Sequence, residues 1–181
     1  MANTNTPVTL LSSMRQAAIA LSDQGLSFVS HSASVKNIAY VVNDVHFFCE
    51  AEDVKEVAIC ENLVLIPQTK RWLRGLMNSK GILYSVTDLS LFAGYGRLIP
   101  ESKGHLLLLN DAGSQCALLV NKVIGFRYFD GTAKMSDLEN KQEKLDGLGP
   151  YIDEAYEVEG VDWFKLNVNK LLSSEQFREV Q

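Results

Sequence analysis

A chain of 181 residues, 46% hydrophobic and 22% charged, can bury one sizeable core or two small ones and is too apolar for general disorder. Its net charge of −5 excludes a general nucleic-acid binder, which needs surplus cations to neutralise phosphates, while leaving room for a local basic patch. Its three cysteines, Cys49, Cys60 and Cys116, are odd in number and irregularly spaced within apolar runs, which suits buried thiols in a reducing compartment rather than a disulfide framework.

Residues 1–35 read as an N-terminal helical extension and linker. Leu10, Leu11, Met14, Ala17, Ala18 and Leu21 recur at helical spacing, Gly25 is placed to end the helix, and a Ser-rich stretch follows. No Lys or Arg precedes this apolar stretch and Arg15 interrupts it, so no export signal is expected. No apolar run reaches the ~20 residues of a membrane helix, so the chain is expected to be cytoplasmic without direct membrane insertion.

From residue 36 the texture changes to strands. Residues 38–42 and 45–49 are rich in strand formers around the turn signal Asn43-Asp44, which predicts a hairpin. A short turn at 51–53 leads into a strand from Val54 to Ile59, with Val54, Glu56 and Ala58 on one face and Lys55, Val57 and Ile59 on the other. Further strands are expected at 82–86, 105–110, 115–120 and 123–129, the middle two joined by a hairpin connection at 111–114. The polar stretch 130–150 reads as an exposed helix with loops or a mobile insertion, before a strand at 161–166 and helical character at 168–177. Short, closely spaced strands with turn signals between them favour a barrel or sandwich over a parallel sheet.

Candidate chemistry is sparse. His31, His46 and His105 are scattered, and His46 and Cys49, three apart on a strand, point to opposite faces and cannot share a metal. Gly94-Tyr95-Gly96 lacks the third glycine and the following Lys-Ser/Thr of a phosphate loop, so a flexible loop is the plainer reading. Asp88 stands where a helix N-cap belongs, just before Leu89-Ser90-Leu91-Phe92, with no second acid or His to act with it. The acidic cluster Asp153, Glu154, Glu157 and Glu159 lacks the loop pattern of a calcium site and reads as a solvated face. No catalytic residue, metal site or cofactor is expected.

One cluster stands out. Lys70, Arg71, Arg74 and Lys80 crowd a short stretch of an acidic chain, with Trp72 among them. It can be a stacking platform for single-stranded nucleic acid, an Arg/Trp anchor patch for a protein, or a core tryptophan among solvated cations.

The stretch Ile66-Pro67 through Trp72-Leu73, Arg74-Gly75-Leu76-Met77-Asn78, Ser79-Lys80-Gly81 and on to Asp88-Leu89 resembles the CheW-like domain. That family carries a Pro, then an aromatic or apolar residue, Gly-apolar-apolar-Asn-x-Arg-Gly, an apolar strand and Asp-Leu. The resemblance covers roughly residues 36–178, with Val54-Lys55-Glu56-Val57 matching an earlier strand and the 105–127 hairpin and the C-terminal strand and helix matching later elements. The sequence departs from the pattern in having Lys80 for the commoner Arg, Ser79 for an apolar residue and Asn121 where Asp is frequent.

The resemblance implies a mainly β fold of two intertwined five-stranded SH3-like barrels with short helices and no active site. It implies a scaffold that joins the cytoplasmic tip of a methyl-accepting chemoreceptor to the matching regulatory domain of a CheA-type histidine kinase. The helical extension, Trp72 after Pro67 and the 130–150 insertion resemble the member serving type IV pili and twitching motility more than the compact flagellar coupling protein. A small barrel binding single-stranded nucleic acid is the reading from another class, although no nucleic acid is expected among the partners. In the family the basic residue before the second glycine lies near a glutamate on the earlier strand, within a partner-binding region, which here points to Lys80 and Glu56. Arg74 and Asn78 join them as candidate interface residues. Gly75 and Gly81 are expected to bracket a turn, with Asn78 satisfying its backbone, and Asp88 to make the fold.

Overall fold

The hairpin at Asn43-Asp44 forms as its sequence predicts. Asn43 (φ 49°) and Asp44 (φ 68°) both take the left-handed conformation that a two-residue turn matching strand twist requires. They join β1 (Asn37–Val42) to β2 (Val45–Glu50), paired antiparallel from Asn37↔Glu50 to Val42↔Val45. The structure, a computed structural model, describes residues 36–96, 99–100, 104–111, 113–129, 134–135, 141 and 143–179, so the expected N-terminal helix lies outside the described residues.

A short 3-10 turn at Ala51–Asp53 leads into β3 (Val54–Ile59), followed by β4 (Leu73–Ser79), β5 (Ile82–Asp88), the one-turn helix α1 (Leu89–Phe92), β6 (His105–Leu109), β7 (Cys116–Val120) and β8 (Lys122–Arg127). After a 3-10 segment at Glu143–Tyr151 come β9 (Ile152–Val158), β10 (Val161–Leu166) and helices α2 (Val168–Ser173) and α3 (Glu175–Arg178). The strands form two five-stranded sheets, ordered β8-β1-β2-β10-β9 and β3-β6-β7-β5-β4. The chain leaves the first sheet after β2, builds the whole of the second, and returns at β8. Each sheet joins its two halves through a parallel pair, β2 with β10 and β5 with β7. This is the expected mainly β architecture of two interlocked five-stranded barrels.

The sheets share a core because β6 and β7 are apolar on both faces. Leu107, Leu109, Cys116, Leu118 and Val120 pack with Ile38, Tyr40 and Phe47 of the first sheet, while Leu106, Leu108, Ala117 and Leu119 turn the other way onto Met77, Tyr84 and Val86. Strands buried on both faces read as continuous apolar runs rather than alternations. A third small cluster, Ala39, Phe48, Tyr156 and Trp163, covers the outer face of the first sheet beneath Phe129.

Two expectations are corrected. Gly75 and Gly81 do not bracket a turn: Gly75 lies inside β4 (φ 138°), where a Cβ would stand 2.1 Å from the Val64 carbonyl oxygen of the passing chain. The acidic stretch from Asp153 is the solvated face expected, carried on β9, whose Ile152, Ala155 and Tyr156 are buried while Asp153 and Glu157 face solvent. The end of the polar insertion is no exposed helix, because Leu145, Leu148 and Tyr151 fill the main core. The helical end is two short helices, capped by Asn167 (Lys170 N–H to Oδ1, 2.8 Å) and Ser174 (Phe177 N–H to Oγ, 3.3 Å).

Candidate functional site

The family-like stretch separates into an interior half and an exterior half. In the interior, Asp88 is wholly buried at the end of β5. Its Oδ1 accepts from the N–H groups of Ser90 (3.0 Å) and Leu91 (3.2 Å), capping α1 as expected. Its Oδ2 accepts from Ile99 N–H (3.0 Å) and from the Arg74 guanidinium (3.2 Å), which also donates to the Ile99 carbonyl (3.0 Å). Burial raises the Asp88 pKa, and the backbone donors and Arg74 oppose that rise. Arg74, paired with Lys80 as a candidate contact in the sequence, therefore faces inward with only 9% of its side chain exposed. It ties β4 to the start of α1 and the 99–100 segment.

Glu56, Asn78 and Lys80 meet on the exterior. Lys80 (φ 53°) and Gly81 (φ 84°) form the two-residue turn between β4 and β5, and Asn78 Oδ1 accepts the Gly81 N–H at 2.9 Å. That turn projects the Lys80 ammonium to Glu56 Oε2 on β3, 2.7 Å away. Lys80 is 75% exposed and Glu56 32%. A pair so open to water contributes at most about 1 kcal/mol to the fold, so its charges are available to a partner at little structural cost.

Large apolar side chains also stand in water on the elements that carry this pair and on their neighbours, a feature the sequence reading did not assign to a site. Val57 and Ile59 stand on the outer face of β3, Val64 and Leu65 on the chain segment bridged to Leu76 of β4, and Leu83 opposite Asn78 on β5. Val64 and Leu65 are the most exposed, at 65% and 69%. The outward parity of Val57 and Ile59 is visible in the sequence, but solvent on that face is not. A second exposed stripe, Ile124, Phe126 and Tyr128, runs along the edge strand β8 and beyond it, with the Lys36 ammonium 3.6 Å from the Phe126 ring centre. Its alternation is the signal that marks it.

Other candidates are accounted for by packing. Trp72 is stacked on Phe177 (centroids 5.8 Å apart) and edge-on to Phe92 (5.4 Å), so its ring is engaged in the fold while Lys70 and Arg71 remain in water. His46 packs against Trp163, on the opposite strand face from Cys49. All three thiols are buried; burial pushes Cys116 up to about 11 and Cys49 higher still, the reverse of an activated nucleophile. Gly94 and Gly96 follow α1 rather than lying between a strand and a helix, both at positive φ. Asp153 bonds Asn167 and Lys170, Glu154 bonds Lys134 and Tyr156, and no metal-ligand cluster occurs among the described residues. Asn121 accepts the Asn43 N–H at 2.8 Å, which pins the β1–β2 turn to the start of β8. No helix among the described residues is long and apolar enough to cross a membrane.

Comparison with known proteins agrees with this architecture. The family model described as the CheW-like domain matches residues 38–176. Among solved structures, the scaffolding protein TtCheW from Thermoanaerobacter tengcongensis superposes with a TM-score of 0.65 over 82% of this chain and 94% of that one. At 15% identity, that likeness concerns the fold alone. No curated protein matches the sequence.

Proposed function

The chain belongs to the CheW-like domain family, and on that premise we propose that it is a non-catalytic scaffold coupling a methyl-accepting chemoreceptor to a CheA-type histidine kinase. The observation that carries this reading is the surface around Glu56 and Lys80. The exposed ion pair joins elements of a sheet that also holds Val57, Ile59 and Leu83 in water, with Val64 and Leu65 on a segment bridged to β4, each at least 40% exposed. Apolar side chains held in water on paired backbone, on the same sheet as charges that can re-pair, fit recognition of another protein. Coupling then works by binding alone: receptor and kinase shift one another's conformational balance only through differential affinity for the complex.

The test is co-precipitation of the kinase regulatory domain and of the receptor tip with native chain and with Lys80→Glu. The substitution sets a negative charge opposite Glu56, and we expect binding of at least one partner to fall about tenfold while the thermal midpoint stays within a few degrees. Undiminished binding to both partners removes Glu56, Asn78 and Lys80 from the interface.

Within the family, we propose service to type IV pili, with recruitment to receptor arrays at the cytoplasmic face of the membrane. This finer reading is supported by the N-terminal extension, Trp72 after Pro67 and the 130–150 insertion. A strain lacking the chain should lose twitching and keep swimming; the opposite pattern assigns it to the flagellar system.

A further inference from the structure

A cavity of about 500 Å³ lies between the second sheet and the C-terminal helices, away from Glu56 and Lys80. Its apolar lining includes Trp72, Leu73, Leu172 and Phe177. Its lining also carries two opposite charges, Asp111 on the β6–β7 connection and Arg178 at the end of α3. Each is held in place by its own neighbours. Asp111 Oδ2 accepts the Ser114 hydroxyl (2.6 Å) and Oδ1 the Gly113 N–H (3.3 Å), while Arg178 Nε donates to the Leu172 carbonyl (3.0 Å).

The two charges do not form an ion pair with each other. They are nonetheless close enough to interact: Asp111 is held below the usual carboxylate range, first by Ser114 and Gly113, with the Arg178 guanidinium adding to the effect. An acid and a base that line one cavity without pairing, beside an aromatic wall, complement a molecule carrying both charges and an apolar body. The volume falls within the range of about 300–1,000 Å³ typical of small-molecule sites.

We propose that this cavity binds an α-amino acid with an apolar side chain, its ammonium on Asp111, its carboxylate on Arg178 and its side chain against Trp72, Leu172 and Phe177. The site is independent of the scaffold reading and would add a soluble ligand to a protein otherwise defined by macromolecular contacts.

Calorimetric titration of the native chain with L-phenylalanine tests it, against 2-phenylethylamine, which lacks the carboxylate, and 3-phenylpropionate, which lacks the ammonium. Phenylalanine should bind saturably and each truncated ligand about tenfold or more weakly, the worth of one charge-assisted hydrogen bond. Asp111→Asn should cost phenylalanine about tenfold while leaving 3-phenylpropionate within twofold, and Arg178→Gln should do the converse with 2-phenylethylamine. The chain has two tryptophans, so a ligand-induced emission change that disappears in Trp72→Phe places the ligand at this wall; calorimetry on Asp111→Asn and Arg178→Gln decides the matter if Trp72→Phe does not fold. No saturable binding of phenylalanine to the folded native chain, equal affinity for all three ligands, or indifference to both charge substitutions overturns the proposal.

Discussion

Gly75→Ala should be among the most damaging single-methyl changes in this protein, for a reason that can be separated into two parts. The residue sits at φ 138°, outside the range that L side chains favour, which costs on the order of 1–2 kcal/mol for alanine. The added Cβ would also lie 2.1 Å from Val64 O and 2.8 Å from Val64 C, backbone atoms that cannot rotate aside. The Val64 segment must retreat, and with it go two hydrogen bonds of 2.8 Å, Val64 N–H to Leu76 O and Leu76 N–H to Val64 O, each worth about 1 kcal/mol net. Together these give a loss of about 3–4 kcal/mol. Gly81→Ala is the control: φ is also positive (84°), but its Cβ meets nothing within 4 Å, so only the conformational cost applies. In urea, where a small domain loses roughly 1–3 kcal/mol per molar denaturant, Gly75→Ala should lower the midpoint by about 1 M or more and Gly81→Ala by about half as much. Equal shifts for the two, or a Gly75→Ala midpoint within error of native, would refute the steric account of the Val64 crossing.

Two further outcomes follow from burial. Asp88→Ala removes the α1 cap, worth about 1 kcal/mol, and leaves the Arg74 guanidinium buried without its carboxylate, a loss of about 3–5 kcal/mol; the two share one residue and are not additive, so a total of at least about 3 kcal/mol is expected by denaturation, against less than about 1 kcal/mol for Lys80→Ala. In the native protein Cys49, Cys60 and Cys116 should resist a thiol-alkylating reagent at neutral pH and all react once urea unfolds the chain, as mass spectrometry would read; fast native labelling of Cys49 or Cys116 would contradict their burial.

The strands legible in the sequence are those whose own side chains decide their state. Asn43-Asp44 between two β-branched and aromatic runs specifies a hairpin locally, and the Leu-rich runs of β6 and β7 announce burial on both faces. The strands that were not legible depend on a distant neighbour. β4 contains Gly75 and Asn78, poor strand formers, and is a strand because β5 and the Val64 segment pair with it on either side. β9 carries acids on its wet face and only Ile152, Ala155 and Tyr156 toward the protein, too short an alternation to outweigh the charge. Leu145 and Leu148 sit in a polar stretch with no periodicity, so nothing local reveals that they complete the main core. At the candidate site, the residue types are readable and their directions are not. Arg74 and Lys80 lie six apart in one motif, and only the packing of Ile99 and Asp88 shows which of them faces inward.

That difference in direction gives the two ion pairs opposite roles. Moving the Arg74–Asp88 pair would expose a buried carboxylate's donors and strand a buried guanidinium, so the pair is fixed and the start of α1 with it. The Glu56–Lys80 pair has no such penalty, because water can replace either partner. It nevertheless occupies a bridging place: β3 and β4 are the two edges of the second sheet, and this contact joins β3 to the turn at the end of β4. A partner that takes Lys80 for its own carboxylate therefore breaks a tie worth at most about 1 kcal/mol, on a sheet that already holds Val57, Ile59 and Leu83 in water. The weakness of the pair is what lets the surface around it be used, and Lys80→Glu should accordingly lower partner affinity far more than it lowers stability.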